Sequence, residues 1–488
     1  MTLSVMYLNL LMTQRNKILF TLIFLIPFAS LFHNYIAMAS GCFHALDLGI
    51  YQQAILDLAF TPSWNPMNTV RGITIFADHF DPIILLAAGI QKLIGPYPWM
   101  PMIVEFLFYW AGGWVIWAAL KKEQTTIKAL LLSFWFFSEP ISVAMRYPVH
   151  PTTWSSLLIL LLVLFIKKGD FIKIILTMNL LCLFKEYYPI CFLTYSVFLF
   201  VTKRLNKGLI ASLFAIAWMY VDFKLRPELV GGIQGYGNDM LRNLSHQPLE
   251  TLFVAARNFQ WKGFFFANLP LLILYPLILK HEKVKIWILD SLVFLLPVFG
   301  IQFLFGNASF QYGAPIASLL VAIIVFSDHD WRIDNSKWAI VLKRLAVIMM
   351  IYAGADYILK ATTIFGAGRN SCTYDQQKVS EFQKVRTYIV SHQEGNKVLT
   401  TGGLIPVVIA PNQQLFQYNI FSKPQEEYQI IAIGKRGSSD LYGLGPEKAE
   451  QVIQACQPHA SEVIFDTKNV FLAKGHFTEE CLHQYHPF

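Results

Sequence analysis

A lysine and a glutamate interrupt an apolar stretch that runs from Phe171 to Val201. Lys185-Glu186 stands near the middle of a segment that otherwise has the composition of a lipid-facing helix. A charged side chain at membrane depth costs several kcal/mol unless it faces a protein interior or a wet cavity, so such residues mark functional sites by default. The ammonium group suits a phosphate, and the carboxylate suits either proton transfer or the anchoring of that ammonium.

A second group of ionisable side chains occurs in Asp78-His79-Phe80-Asp81-Pro82. Two carboxylates and an imidazole this close together suit a divalent metal or the deprotonation of a hydroxyl group. The spacing matches no metal signature, and Asp-Pro is also a common way to open a helix. A divalent metal therefore stays one alternative, no metal ligand is assigned, and Asp78 and His79 are substrate-binding candidates.

Asp47 stands immediately before a predicted helix. Leu48, Tyr51, Ile55 and Leu58 recur at helical spacing, which favours an amphipathic helix lying on the membrane surface. As an N-cap, the Asp47 carboxylate would accept backbone N–H bonds. The same position would hold a catalytic carboxylate rigidly, so the structural and the catalytic interpretations are compatible.

Further candidates flank the predicted outer ends of the helices. An arginine at an apolar helix end, such as Arg146, commonly extends to the interface. Together with His150 and Lys185 on the same side, it would instead form a cationic pocket for phosphate. Tyr187 follows Lys185-Glu186 and could narrow that pocket or stack on a sugar. Tyr312 adds an aromatic group at the mouth of a later predicted crossing.

The elements that carry these residues are predicted to be membrane helices. Mean hydropathy is +0.46, 55% of residues are apolar and 14% are charged, which is typical of a polytopic membrane protein. Apolar segments of about the length of a span predict roughly eleven crossings. They begin near Ile18, Trp99, Ile127, Trp154, Phe171, Pro189, Leu209, Phe264, Ile286, Tyr312 and Trp338.

The charge distribution predicts how the helices are oriented. The formal net charge of +8 does not indicate nucleic-acid binding, because Lys and Arg gather in short connectors at every second connection. This pattern is expected of cytoplasmic loops and places the N-terminus inside. It also places Lys167-Lys168 and Lys203-Arg204 on the same side, so the segment between them crosses twice.

Lys185-Glu186 then lies at the outer turn of two short helices. About fourteen residues rise only ~21 Å, less than the hydrocarbon thickness, so we expect the turn to lie in a recess. The alternative is one tilted helix with an internal ion pair.

The composition divides the chain into two predicted domains. Residues 1–365 form a transmembrane domain with a long first outward loop, 41–98, and residues 366–488 form a small soluble extracytoplasmic α/β domain. Within the latter, the patterns predict helices and strands. The helices are Gln376 to Ser391 and Pro446 to Cys456; the strands are Lys397 to Thr400, Gln429 to Ile433, Glu462 to Asp466 and Val470 to Ala473. Three cysteines in this compartment favour one disulfide, with the pairing open.

Several of these motifs, in this order, resemble the DUF2079 family of bacterial polytopic membrane proteins. They are Leu46-Asp47-Leu48-Gly49-Ile50-Tyr51-Gln52-Gln53-Ala54, His79-Phe80-Asp81-Pro82-Ile83, His150-Pro151, Lys185-Glu186 and Gln311-Tyr312-Gly313-Ala314-Pro315. The family is similar in layout to the GT-C superfamily of glycosyltransferases, which take a sugar from a polyprenyl-phosphate carrier on the outer membrane face. Where the family has His-Tyr, this chain has Gln311-Tyr312, so no proton role is carried over to that position.

The resemblance implies an inverting glycosyltransferase in the bacterial inner membrane. The donor substrate would be a polyprenyl-phosphate sugar, and the acceptor an envelope glycan, lipid or protein. Asp47 is the expected general base, and Glu186 is either the base or the anchor of Lys185. Arg146 and Lys185 would stabilise the leaving phosphate, with His79 or His150 as hydrogen-bond donors.

Two other classes of function stay open on the sequence. A recessed ion pair among many crossings would also suit a transporter or lipid flippase of the cell envelope, although the sequence has no internal repeat. A non-catalytic envelope-assembly protein would work through its outer domain.

Overall fold

The computed structural model describes residues 20–43, 48–69, 72–120, 125–146, 149–231, 245–275, 286–304, 313–327, 337–362, 374–417, 427–435 and 446–482. The first part of the chain is almost entirely helical. Its helices are α1 Phe28–Ala39, α2 Ile50–Phe60, α3 Ile75–Asp78, α4 Ile84–Ile94, α5 Met100–Ala119, α6 Thr125–Phe137, α7 Glu139–Arg146, α8 Pro151–Lys168, α9 Phe171–Leu181, α10 Tyr188–Val201, α11 Leu205–Tyr220, α12 Arg226–Val230, α13 Pro248–Asn258, α14 Trp261–Leu272, α15 Ile286–Leu304, α16 Ala314–Phe326 and α17 Lys337–Thr362.

Five of the described helical segments are long and apolar enough to cross a membrane. They are Phe20–Ala39, Met100–Ala119, Pro151–Lys168, Leu205–Val230 and Ile286–Leu304. A sixth candidate is a pair bent by 45°, Lys128–Phe137 and Glu139–Arg146. Other apolar helices, including α9, α10 and α16, are shorter than a span. The chain is thus a multi-pass helical membrane protein, while the count of eleven crossings stays a prediction.

The Phe171–Val201 segment is a helical hairpin. Helix α9 ends at Leu181 and α10 begins at Tyr188, with turns between them. The Nζ atom of Lys207, which follows α10, lies 5.5 Å from the ring centroid of Phe171 at the start of α9. Since both ends of the hairpin meet, the chain doubles back at Lys185-Glu186. The hairpin interpretation is confirmed, and the single tilted helix is excluded.

The contacts separate the two ends of the helical bundle. At one end, Arg204 forms two hydrogen bonds to the Asp290 carboxylate, and Lys167 donates from Nζ to the carbonyl of Phe326. At the other end, the backbone N–H of Ile83 donates to Leu183 O at 2.9 Å. The loop before α5 therefore meets the α9–α10 turn at the end of the bundle opposite the basic connectors.

Helix α2 is not the surface helix that its spacing predicted. Gln52 and Gln53, on its polar side, are both buried. Gln52 Nε2 donates to Pro98 O at 2.7 Å, and Gln53 Nε2 donates to Gln413 O at 3.2 Å. The amphipathic interpretation was wrong because residues far along the chain cover the polar face.

The last part of the chain forms a five-stranded mixed sheet with four further helices, two of which are single turns. Two short strands, β1 Met67–Asn68 and β2 Ile73–Thr74, form a separate antiparallel ribbon. The sheet strands are β3 Lys397–Thr400, β4 Gln414–Gln417, β5 Tyr428–Gly434, β6 Ala460–Asp466 and β7 Val470–Phe477, in the order β4-β3-β5-β7-β6. The helices are α18 Gln376–His392, α19 Ile405–Val408, α20 Pro446–Cys456 and the single turn α21 Glu479–Leu482.

Both faces of this sheet are buried, because alternate residues enter two different cores. Val398 and Ile430 belong to the core shared with the membrane helices, whereas Leu399 and Ile431 pack in a second core with α20. The four predicted strands and both predicted helices are confirmed, and β4 was missed. The proposed boundary at 365/366 falls outside the described residues, so that division stays a prediction.

Disulfides occur in this part of the chain, as the sequence predicted. Cys456 at the end of α20 is bonded to Cys481. Cys42, which follows α1, is disulfide-bonded as well. Cys182 and Cys191 are free and buried among apolar side chains.

Candidate functional site

Lys185 is held between two carboxylates at the turn of the α9–α10 hairpin. Its Nζ atom lies 3.4 Å from Asp81 Oδ1 and 3.7 Å from Glu186 Oε2. The side chains of Lys185 and Asp81 are only 4% and 1% exposed, whereas that of Glu186 is 36% exposed. The buried ammonium is thus compensated on its inner side by Asp81, and Glu186 faces the open side of the site.

Asp81 is fixed by the loop that precedes α4. Tyr51 of α2 donates its hydroxyl hydrogen bond to Asp81 Oδ2. Burial raises the pKa of the Asp81 carboxyl, while the neighbouring Lys185 ammonium and the Tyr51 hydroxyl oppose that rise. Asp81 therefore links α2 to the hairpin turn and sets the position of Lys185.

His79 lies on the far side of Glu186. Its Nδ1 is 3.9 Å from Glu186 Oε1, and its Nε2 is 3.9 Å from Asp78 Oδ1. Asp78 is buried, while His79 keeps a quarter of its side chain exposed. His79 therefore lies between the carboxylates of Asp78 and Glu186, at distances longer than a hydrogen bond.

A buried ion pair between Asp222 and Arg226, later in the chain, contacts the loop that carries Asp78 and His79. Arg226 NH1 donates to Asp222 Oδ1 at 2.8 Å, and its Nε donates to Phe76 O at 2.7 Å. The guanidinium carbon also lies 5.4 Å from the ring centroid of Phe80. Both charged side chains are buried. They lie at a π-helical turn, Val221–Leu225, within a long apolar helix. The pair fixes the backbone on either side of Asp78-His79.

His150 closes the inner wall of the site. Its backbone N–H donates to Glu105 Oε1 at 3.1 Å, and its Nδ1 accepts from the N–H of Thr152 at 3.2 Å. Burial lowers the pKa of the His150 imidazole well below its usual value, and the neighbouring Lys185 and His79 act in the same direction. The ring is therefore neutral, and since Nδ1 accepts, Nε2 carries the proton and is a donor.

The tyrosines after Lys185-Glu186 face inward. The rings of Tyr187 and Tyr188 are 4.7 Å apart, and the Tyr188 hydroxyl pairs with Ser155 Oγ at 2.6 Å. Tyr187 is only 8% exposed and Tyr188 is fully buried. Tyr187 thus packs inward and does not present an open ring face, while its narrowing of the pocket stays a prediction.

Arg146 is directed to a different set of partners. Its Nε donates to Ser142 O at 3.2 Å, and its guanidinium lies 6.0 Å from the ring of Tyr357 in α17. The structure brings Asp78, His79, Lys185 and Glu186 together, with His150 beside them, and orients Arg146 towards α17. Asp47 and Tyr312 lie outside the described residues.

Metal binding at Asp78-His79-Asp81 finds no support in the geometry. Asp81 is occupied by Tyr51 and Lys185, whereas His79 faces Asp78 and Glu186. Within the described part of the chain, no three His, Cys, Asp or Glu side chains gather as metal ligands.

Sequence reasoning assigned no role to five residues that build this site: Tyr51, Asp81, Glu105, Asp222 and Arg226. Glu105 and Asp222 each stand alone in an apolar helix, and Arg226 follows Asp222 at the i, i+4 spacing of a helical ion pair. Buried charges of this kind inside apolar helices were the available signal.

The fold and the site define a polytopic helical membrane protein with a charged site at the turn of an apolar hairpin. A similar fold is found in the crystal structure of ArnT from Cupriavidus metallidurans in the apo state, with a TM-score of 0.51 and 12% sequence identity. The match covers 94% of this chain and 98% of that one.

The chain belongs to the DUF2079 family of predicted membrane proteins, whose model matches residues 42–440. Among curated proteins, none matches its sequence significantly. The identity to ArnT is low, so this likeness concerns the fold alone.

Proposed function

We propose that this protein is a membrane glycosyltransferase that moves a sugar from a polyprenyl-phosphate carrier to an acceptor on the outer face of the membrane. The observation that carries the proposal is the buried Asp81–Lys185–Glu186 cluster at the break in an apolar hairpin. A transferase of GT-C layout needs a fixed cation beside lipid, and this turn supplies one.

The hairpin offers the carrier a route from lipid to the cation. Helix α9 exposes Leu176 and Leu180, which are 58% and 48% exposed, on the side that leads to the turn. A polyprenyl tail can lie along this apolar face while its phosphate reaches Lys185. The short hairpin keeps that turn recessed, so head group and tail are accommodated together.

The proposed reaction is an inverting displacement. A carboxylate accepts the proton of the acceptor hydroxyl, the resulting oxygen attacks the anomeric carbon, and the bond from that carbon to the phosphate oxygen breaks. Asp47 is the proposed base, with Glu186 as the alternative, because Glu186 is the most exposed carboxylate of the cluster. The polyprenyl phosphate leaves with the bonding electron pair and is stabilised by Lys185, with His79 and the Nε2–H of His150 as donors.

Buried partners keep the cation charged and in place. Asp81 and Glu186 favour the ammonium form of Lys185, and Tyr51 holds Asp81. Arg146 and Tyr312 stay proposed substrate contacts, and Tyr187 and Asp78 shape the floor and wall of the site. The reaction as written requires no metal. A divalent ion at the donor phosphate stays an alternative.

We also propose that the site faces the extracytoplasmic side of a bacterial inner membrane, with the N-terminus inside. Two features support this orientation. The basic connectors meet at the opposite end of the bundle, as the positive-inside rule requires. The Cys456–Cys481 disulfide is typical of an oxidising compartment, and it joins α20 to α21 beside the sheet that contacts α2 through Gln413.

The proposal is tested by sugar transfer from radiolabelled polyprenyl-phosphate sugars with purified protein in lipid nanodiscs. We expect Asp47→Asn to abolish most transfer while leaving carrier binding intact, and Lys185→Met to weaken both. The loss of one preorganised charge partner should lower the transfer rate roughly 100-fold. Lys92→Met, which removes an exposed lysine at the end of α4, is the matched control and should behave as wild type.

Each outcome discriminates between functions. Transfer by Lys185→Met at the wild-type rate would overturn the role of the cluster. Transfer that survives Asp47→Asn but fails in Glu186→Gln would move the base to Glu186. Absence of transfer by the wild type across donors, with movement of lipid-linked sugar across the bilayer, would instead make it a transporter or flippase.

A further inference from the structure

A cavity of about 430 Å³ lies between the carboxyl end of α2 and the edge strand β4, apart from the Lys185 cluster. Its walls include Asp57 on α2, Lys397 on β3, Asn412 to Gln414, and Phe416. The volume falls within the range of roughly 300–1,000 Å³ that small-molecule sites occupy. None of the residues that line the cavity comes from the α9–α10 hairpin or from the loop that carries His79.

The walls of the cavity are held by hydrogen bonds between distant parts of the chain. The N–H of Asn412 donates to Asp57 Oδ1 at 2.7 Å, and Gln53 Nε2 donates to Gln413 O at 3.2 Å. Thr69 donates its hydroxyl hydrogen bond to Leu415 O. These bonds fix α2 and the loop after it against the sheet, so the cavity is preformed.

The chemistry of the lining is polar with little net charge. Asp57 and Lys397 offset each other, and Asn412, Gln413 and Gln414 contribute amides. The Nε2 group of Gln413 is a buried donor with no hydrogen-bond partner among the described residues. Phe416 and Met67 add an apolar patch to the same wall.

This combination fits one class of ligand better than others. A phosphate requires a surplus of cations, and a lipid tail requires an apolar lining. A sugar ring offers hydroxyl groups that both donate and accept, which match amides and a carboxylate. Its C–H face packs against an aromatic ring such as Phe416.

We propose that this cavity binds an uncharged sugar ring. Tyr51, which holds Asp81, and Asp57 lie six positions apart on α2, so the two sites are separated by about 9 Å along one helix. A sugar bound here would therefore be held close to the Lys185 cluster by a single rigid element. Binding itself does not rest on the proposed transfer reaction; if that reaction holds, the bound sugar belongs to the acceptor.

The test is binding of uncharged oligosaccharides to the full-length protein in nanodiscs, prepared without sugar-based detergent. The probes are maltotriose and N,N′-diacetylchitobiose, each free in solution and each attached to a dialkyl lipid, measured by saturation-transfer NMR and calorimetry without donor. We expect at least one of the sugars to bind. Preference for the lipid-attached form would identify a glycolipid as the source of the ring, and equal binding would identify a soluble glycan.

Two variants remove side chains from the cavity with little disturbance of the backbone. Asn412 has φ 56°, which glycine adopts readily, so Asn412→Gly keeps the N–H bond to Asp57 and deletes the amide. Gln414→Ala removes an exposed amide from β4. Each should weaken binding about five- to tenfold, the effect of one lost hydrogen bond. Gln383→Ala, an exposed glutamine of α18 that is outside the cavity lining, is the matched control.

Failure to bind any of the four probes, or binding that both variants leave unchanged, overturns the inference. Thermal unfolding of each variant identifies a folding defect, in which case the other variant decides. Binding that persists in a protein without transfer activity would remove the proposed function and leave this inference standing. Sugar transfer that the cavity variants do not reduce would support the proposed function and would show that the cavity does not hold the acceptor.

Discussion

At the scale of single residues, Asp57 joins three parts of the molecule. It lies on the buried side of α2 near the carboxyl end of that helix. Its side chain accepts a hydrogen bond from the N–H of Asn412 and lines the cavity. Burial raises the pKa of its carboxyl from 3.8 to about 6, although the bond from Asn412 opposes that rise. The folded protein therefore prefers Asp57 protonated at mildly acidic pH.

The sign of the resulting pH dependence is testable. The folded state binds a proton more tightly than the unfolded chain, so this contribution to stability is lost as pH rises from about 4 to about 6. A difference of about two pKa units corresponds to at most ~3 kcal/mol at pH 7.5. We expect Asp57→Asn, which keeps an oxygen acceptor, to raise the melting temperature by a few degrees at pH 7.5 and by little at pH 5.

The measurement is thermal unfolding of wild type and Asp57→Asn in the same detergent at both pH values. Comparing the two proteins removes the pH dependence that they share. A variant less stable than wild type at pH 7.5, with the deficit growing as pH rises, would contradict the prediction.

The site residues were predictable only where a charge broke an apolar pattern. Lys185-Glu186 and Asp78-His79 stand out in the sequence, and the structure brings them together. Asp81 was visible in the same motif, but its role in holding Lys185 depends on the fold. Helical spacing placed Tyr51 on the apolar side of α2 and gave no indication that its hydroxyl would meet a carboxylate.

At the scale of secondary-structure elements, an ion pair joins the start of α11 to α15. Arg204 is bidentate to Asp290, with NH1 to Oδ2 at 2.7 Å. Asp290 is 5% exposed, whereas Arg204 is 27% exposed and can turn towards water. Loss of the ion pair should therefore cost Asp290, which stays buried, more than Arg204, which can be hydrated.

Removing the arginine should be more harmful than removing the aspartate. Arg204→Met leaves a buried carboxylate without its cation and should cost about 3 kcal/mol, whereas Asp290→Asn should cost less. The double variant should recover part of the loss from Arg204→Met. Melting temperatures of the three variants in one detergent measure this asymmetry.

Lys203→Met, which removes the exposed neighbouring cation, is the control and should be near wild type. Equal losses from both single variants, with no recovery in the double variant, would show that the pair does not couple α11 to α15.

The sequence predicted elements well where they carry their own hydrophobic pattern. Lys397–Thr400 and Pro446–Cys456 were placed to the residue, because the first contains the β-branched Val398 and Thr400 and the second has helical periodicity. Strand β4, Gln414–Gln417, was missed because it contains no β-branched residue and only two apolar residues between glutamines. Helix α2 was placed on the surface because sequence periodicity cannot reveal that a distant sheet covers its polar side.

At the scale of the whole molecule, function-bearing and basic regions occupy opposite ends of the bundle. The loop from Tyr51 to Asp81 and the Lys185 turn lie at one end, and Arg204 with Lys167 at the other. Two helices, α9 and α10, separate the basic connectors at Lys167 and Arg204, so both connectors lie at the same end. The orientation is thus a property of the entire chain and can be tested independently of activity.

Cysteine labelling provides that test. A maleimide that does not cross membranes should label Ser63→Cys, in the exposed loop at the site end, in intact cells with a permeable outer layer. It should label Asn206→Cys, in the exposed first turn of α11 beside the basic connector, only after the inner membrane is opened. Wild type, whose free Cys182 and Cys191 are buried, gives the background. The reverse pattern would invert the proposed topology.

The bond between Asp57 and Asn412 has a consequence for how the protein is made, since its partners are 355 positions apart in the chain. At roughly 5–20 residues per second, the ribosome needs on the order of 20–70 s to reach the second partner after the first. During that time Asp57 and Gln53 of α2 lack these later partners, Asn412 and Gln413. The order of synthesis therefore makes the segment around Asn412 the one that completes the cavity wall, and a chain terminated before it would carry inserted helices with an open, protease-accessible loop.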